Sequence, residues 1–172
     1  MPKPVSRVTY AFIDSQNLNL GVLNLGVLDS GWKIDFVRFR VYLKDKFGVT
    51  QAFLFIGYLP GNESLYTSLQ AAGYLLVFKP TLVIKKNGRE TVKGNVDAEL
   101  VLHAMIEWAN YGQAVIVTGD GDFHCLLEHL EKHEKLSHLI IPNRRKFSAL
   151  LRKFRNKFVF VDGLRNKLEM KN

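Results

Sequence analysis

Short apolar runs of strand type alternate with helically spaced segments along this chain, and that alternation restricts the fold more than any other feature. Strands are expected over residues 8–13, 51–58, 74–78, 114–118, 138–141 and 158–161. Helices are expected over about 16–27, from an N-cap at Asp35 to a stop at Gly48, and from a cap at Asn62 to Gly73. Further helices are expected over 96–111, 123–133 and 147–155, with a short one near the end. Strands separated by helices pair in parallel, because each helix carries the chain back across a face of the sheet. The expected fold class is therefore α/β, a doubly wound and mostly parallel sheet. One interruption stands out. Asn87-Gly88 lies between two short runs, and both residues tolerate the positive φ of a type I′ turn, so a small antiparallel hairpin is predicted there.

Four aspartates fall where this pattern passes from an apolar segment into a loop or helix: Asp14 in YAFIDSQNL, Asp97 in KGNVDAELVLHAM, and Asp120 and Asp122 in IVTGDGDFHCLL. In an open parallel sheet the crevice beyond the carboxyl ends of the strands gathers such residues from distant parts of the chain. Clustered carboxylates raise one another's pKa unless a cation neutralises them, and an all-oxygen donor set suits Mg²⁺ or Mn²⁺. Asp97 shares a helical stripe with Leu100, Val101, Ala104, Met105 and Trp108, which places it on the core-facing side of its helix. A first-turn carboxylate is also favoured by the helix dipole alone. Asp122 has a simpler reading as a helix N-cap, and the glycine of Asp-Gly-Asp lets both carboxylates approach one pocket.

Composition narrows the rest. At 172 residues and 47% hydrophobic, the chain is expected to form a single domain, 1–172, with one substantial core. No apolar run approaches the length that spans a bilayer, and the N-terminus lacks the pattern of a signal peptide, so a cytoplasmic protein without a membrane partner is expected. Cys125 is the single cysteine; its place in an apolar helical stripe predicts a small core residue without chemistry. His129 and His133 are read as surface helix residues, because the spacing lacks the glutamate of a zinc-protease motif. The net charge of +8 is uneven: residues 135–172 hold eleven Lys or Arg against two acids, and residues 1–134 hold thirteen against fourteen. Such asymmetry favours a polyanion as partner, though a solvated basic face is the plainer alternative.

The three acidic blocks, in this order, resemble the NYN domains, a branch of the PIN-like ribonucleases also described as LabA-like or DUF88 proteins; the resemblance covers roughly residues 7–161. It implies a Rossmann-like, PIN-type three-layer sandwich and a Mg²⁺- or Mn²⁺-dependent endonuclease acting on RNA. Carried over by position, Asp14, Asp97, Asp120 and Asp122 are the metal-binding and catalytic acids, with Asp14 and Asp120 the first choices for direct ligands, and Asn17 is the polar residue following the first acid. Asn17 either orients Asp14 or a water, or caps its helix. Thr118 either supports a metal ligand or is an ordinary strand-end threonine, and Glu99 is expected to be solvated. Lys85, Lys86, Arg89 and Lys93 make the hairpin either a basic flap beside the acids or an exposed ribbon. Arg144, Arg145 and Lys146 precede a basic helix whose Phe147, Leu150, Leu151 and Phe154 are expected in the core, and they are placed to grip a nucleic-acid backbone. Two other functions remain: a non-catalytic RNA-binding or regulatory module, and a phosphatase-like enzyme, the latter weakened because Asp14 has no second aspartate two residues on. The chain leaves room for a homo-oligomer.

Overall fold

The computed structural model describes residues 8–24, 30–93 and 95–171. Among the described residues, eight strands run β1 (Thr9–Asp14), β2 (Val49–Tyr58), β3 (Tyr74–Pro80), β4 (Leu82–Lys86), β5 (Arg89–Lys93), β6 (Gln113–Val117), β7 (Leu136–Ile141) and β8 (Phe158–Phe160). The α-helices described beside them are α1 (Ser15–Leu23), α2 (Phe36–Phe47), α3 (Glu63–Ala71), α4 (Asp97–Ile106), α5 (His124–Lys132) and α6 (Arg165–Leu168). The main sheet has six strands in the order β3-β2-β1-β6-β7-β8, every pair parallel. Chain order runs outward in both directions from β1, so the gap between the carboxyl ends of β1 and β6 is the topological switch point, where ligands bind in such sheets.

Burial on both faces explains the continuous apolar runs. Along β1, Tyr10 and Phe12 enter one core with Leu100, Leu127 and Phe154, whereas Ala11 and Ile13 enter the other with Leu18, Phe39 and Leu43. β2 and β6 divide in the same way, Phe53, Phe55, Ala114 and Ile116 on the first face and Ala52, Leu54, Val115 and Val117 on the second. The period of two thus fills two cores, with helices on both sides of one sheet.

Local signals were decisive at several boundaries. Asp35 caps α2 by accepting the N–H groups of Val37 and Arg38 at 2.9 and 3.1 Å, and Gly48 ends it at φ 66°. The predicted hairpin is present, with Asn87 and Gly88 at φ 52° and 72°. Asn62 occupies the N-cap position of α3 but makes no side-chain capping bond; Glu63 accepts the Gly61 N–H instead.

Other expectations are corrected. Helix α1 ends at Leu23, and residues 25–27 of its predicted span lie outside the described residues. Helix α4 ends at Ile106, five residues early, because the chain turns through Trp108 and Asn110 to start β6, while the Tyr111 hydroxyl donates back to the Ala104 carbonyl. The predicted helix over 147–155 is a 3₁₀ segment, Ala149–Lys157, capped by Ser148. With three residues per turn, Leu151 and Phe154 share the buried face and Leu150 falls off it, 59% exposed. Phe147 precedes the segment and packs against Phe158 and Phe160. Cys125 is exposed, because Leu126, Leu127 and Leu130 define the inner face of α5 and Cys125 lies off it. Among the described residues, no helix is long and apolar enough to cross a membrane.

Candidate metal centre

Asp14 ends β1 and caps α1: its Oδ1 accepts the Asn17 N–H at 3.1 Å, and only 6% of the residue is exposed. Burial pushes its carboxyl up from 3.8 to about 6; the Asn17 N–H opposes the rise, and the negative charges of Asp97 and Asp120 add to it. Asp97 opens α4 in a reciprocal arrangement with Asn95, whose amide donates to Asp97 Oδ2 at 2.8 Å while its Oδ1 accepts the Asp97 N–H at 2.9 Å. Partial burial raises the Asp97 carboxyl, the Asn95 amide restrains the rise, the charges of Asp120 and Asp122 favour it, and Lys79 counters it. The buried line of α4 is Val96, Leu100 and Ala104, so Asp97 sits on its flank, half-buried, and faces the other acids from beyond the sheet edge.

The third and fourth acids arrive on the loop after β6. Thr118 is fully buried and its Oγ1 accepts the Asp120 N–H at 3.1 Å; Asp120 Oδ1 in turn accepts the Asp122 N–H at 2.9 Å. Asp120, and not Asp122, therefore caps the short 3₁₀ turn Gly121–Phe123. Asn17 reaches across from α1 to accept the Gly119 N–H at 2.8 Å, and the Gly119 carbonyl accepts the Ser148 N–H at 3.0 Å. The need for glycine at position 121 is steric: a Cβ there would lie 2.3 Å from Ser148 Oγ.

Asp97, Asp120 and Asp122 each offer a carboxylate oxygen, and these atoms lie within 4.8 Å of one another. Asp14, Asn17, Asn95, Asp97, Asp120 and Lys146 line a cavity of about 510 Å³ beside them, at the switch point. Oxygen donors at this spacing, beside a buried acid whose ionisation the cluster penalises, fit a hard divalent cation.

The basic residues divide. Lys146 lines the acidic cavity. Arg144 instead pairs with Asp162 at 3.2 Å and stacks against Phe160, and with Arg145 it lines a neighbouring cavity of about 300 Å³. Lys85, Lys86 and Arg89 sit exposed on the hairpin, Lys85 paired with Glu90 at 3.0 Å, and none lines the acidic cavity. The Lys93 side chain lies outside the described residues. Two residues near the acids were missed by the sequence reading. Lys79 stands near the carboxyl end of β3 and pairs with the half-buried Glu99 at 3.2 Å, contrary to the solvated glutamate expected; applying the strand-end rule to bases as well as acids would have found it. Asn95 lacked any signal beyond its position two residues before Asp97.

A parallel sheet with helices on both faces and an acidic cluster at its switch point defines the class, an α/β protein whose carboxylates could hold a metal ion. The NYN domain model matches residues 9–162, and the chain belongs to the NYN domain family, a PIN-like nuclease family whose members typically depend on divalent metals. Its fold is similar to that of a protein of unknown function, VPA0982 from Vibrio parahaemolyticus RIMD 2210633, with a TM-score of 0.73, 21% identity, and coverage of 98% of this chain and 99% of that one. No curated protein matches the chain.

Proposed function

We propose that this protein is a Mg²⁺- or Mn²⁺-dependent endoribonuclease that hydrolyses RNA phosphodiester bonds at the acidic cleft. The observation that carries the reading is the convergence of three carboxylate oxygens within 4.8 Å beside buried Asp14. Asp97, Asp120 and Asp122 would hold the cation, with Asp14 deeper in the cavity. When bound, the cation supplies an activated water and positive charge against the phosphate. The chain's own residues fix the surroundings: Asn17 holds the loop through Gly119, Thr118 holds the Asp120 backbone, and Asn95 sets the Asp97 carboxylate. Lys146 offers a cation to a non-bridging phosphate oxygen from the cavity wall, and the C-terminal charge excess supports sequence-independent attraction of the strand.

The test uses labelled single-stranded and structured RNA with Mn²⁺ or Mg²⁺, comparing the protein with an Asp120→Asn, Asp122→Asn double variant. Metal-dependent cleavage that falls by at least ~100-fold in the variant is expected. Unchanged cleavage in the variant would sink the assignment, and salt-sensitive binding without cleavage would identify a regulatory RNA-binding module instead.

A further inference from the structure

On the other side of α1 lies a second cavity of about 350 Å³ whose character is opposite to that of the acidic one. Its floor includes the buried Leu54 and Leu69, Phe36 adds an aromatic ring, and exposed Leu65 stands at its rim. Among the described residues lining it, none is ionisable. Polar side chains come from Ser15, Gln16 and Asn19 of α1 and from Thr81, whose hydroxyl donates to the Tyr58 carbonyl at 2.6 Å.

Helix α1 partitions the two sites. Asp14, its cap, and Asn17 line the acidic cavity; Ser15 and Asn19, four residues apart and so on one face, line the apolar one. Gln16 and Leu20, again four apart, line both and form the crest between them. A group bound in the apolar cavity is therefore about one helix diameter, ~10 Å, from a group bound at the acids.

We infer that the apolar cavity beside Asn19 and Leu65 receives an unpaired nucleobase of the strand whose phosphate lies at the acidic cleft, making it a specificity subsite. The inference rests on the ribonuclease reading for its substrate. A phosphate is disfavoured there because none of the described residues lining the cavity is a cation. A base matches the site: it is flat, largely apolar on its faces and uncharged, and it presents donors and acceptors at its edge. Splayed bases are recognised by stacking on aromatic rings and by side-chain amides at that edge, which Phe36, Asn19 and Gln16 provide. The volume lies within the range of small-molecule pockets, roughly 300–1,000 Å³. The shared crest makes the two sites continuous along one strand.

Two readouts separate this inference from the nuclease reading. First, cut sites in a random single-stranded RNA pool are mapped by end sequencing for the protein, for Leu65→Trp, which fills the cavity from its rim, and for Asn19→Ala, an exposed truncation that guards against misfolding of the first. A base preference of at least ~5-fold at one position next to the cut is expected, falling below ~2-fold in both variants. Cleavage without preference, or a preference unchanged in both variants, overturns the inference and leaves the nuclease reading standing. Second, in the Asp120→Asn, Asp122→Asn background, an abasic nucleotide is moved along a fluorescent RNA oligonucleotide. One abasic position should weaken binding at least ~5-fold, and Leu65→Trp should erase that penalty. The penalty without any cleavage by the parent protein would uphold the subsite and defeat the nuclease reading; no RNA binding, or no sensitive position, overturns the subsite.

Discussion

Replacing Asp14 with asparagine should stabilise the metal-free protein while abolishing its activity. Asparagine remains a good N-cap for α1, so the substitution removes a charge more than a bond. Raising the Asp14 carboxyl from 3.8 to about 6 corresponds, at ~1.36 kcal/mol per unit, to about 3 kcal/mol of native-state penalty for ionisation near neutral pH. Because the folded-state value lies above the unfolded one, the acid's stabilising contribution is present in full below about 3.8 and is lost as pH rises through about 6. The gap between variant and parent should thus be small at pH 3.5, about 1 kcal/mol at pH 4.5, and reach about 3 kcal/mol by pH 7.5. At ~2–4 °C per kcal/mol for a chain of this size, Asp14→Asn should melt about 6–12 °C higher in EDTA at pH 7.5. Thermal melts of both proteins across that pH range supply the measurement. A variant that melts below its parent at pH 7.5, or a gap independent of pH, would refute the assignment of a buried, destabilising carboxylate.

The remaining predictions concern metal and loop. Mn²⁺ at ~100 times its Kd should raise the stability of the parent by about 2.7 kcal/mol, nearly offsetting the Asp14 penalty, and should leave the Asp120→Asn, Asp122→Asn variant unmoved; equal shifts in the two melts would place the metal elsewhere. Asn17→Ala strands the buried Gly119 N–H, so a loss of about 1–3 kcal/mol in denaturant unfolding is expected together with weaker Mn²⁺ binding; unaltered stability would show that the bond is dispensable. Gly121→Ala brings a methyl group to 2.3 Å from Ser148 Oγ, so it should displace the loop and weaken Mn²⁺ binding by calorimetry, with native binding as the contrary result.

The sheet and the acidic cleft were legible in the sequence for the same reason. A strand buried on both faces must be apolar until it leaves the sheet, so a charge that ends the run, as Asp14 does, marks both the strand end and the sheet's carboxyl edge. Elements whose patterns admit more than one period were less legible. Leu150, Leu151 and Phe154 suit an α-helical stripe, and only the tighter 3₁₀ winding puts Leu150 outside. Charge location was readable but charge pairing was not: Arg144 and Lys153 belong to the basic C-terminal excess, yet Asp162 and Glu128 pair with them, through contacts 18 and 25 residues apart. Asp-Gly-Asp was legible in part: both carboxylates do reach one cluster, but the steric need for the glycine is set by Ser148, on a segment the local pattern does not contain.

Repulsion among the acids raises a question of order: without a cation, carboxylates this close should drive the loop after β6 away from α4. The loop's hydrogen bonds oppose that without using the Asp97 or Asp122 carboxylates. Asn17 Oδ1 takes the Gly119 N–H, Thr118 Oγ1 takes the Asp120 N–H, and the Gly119 carbonyl takes the Ser148 N–H, tying the loop to α1, to the buried residue that follows β6 and to the cap of the 3₁₀ segment at once. At about 1 kcal/mol net each, three such bonds supply about 3 kcal/mol towards holding the loop. The cleft should therefore be formed before metal arrives. Amide hydrogen exchange at Gly119 should be slow in EDTA and change less than ~10-fold on adding Mn²⁺. Exchange at the rate of an open loop in EDTA, slowing by more than ~100-fold with Mn²⁺, would show instead that the cation builds the site it occupies.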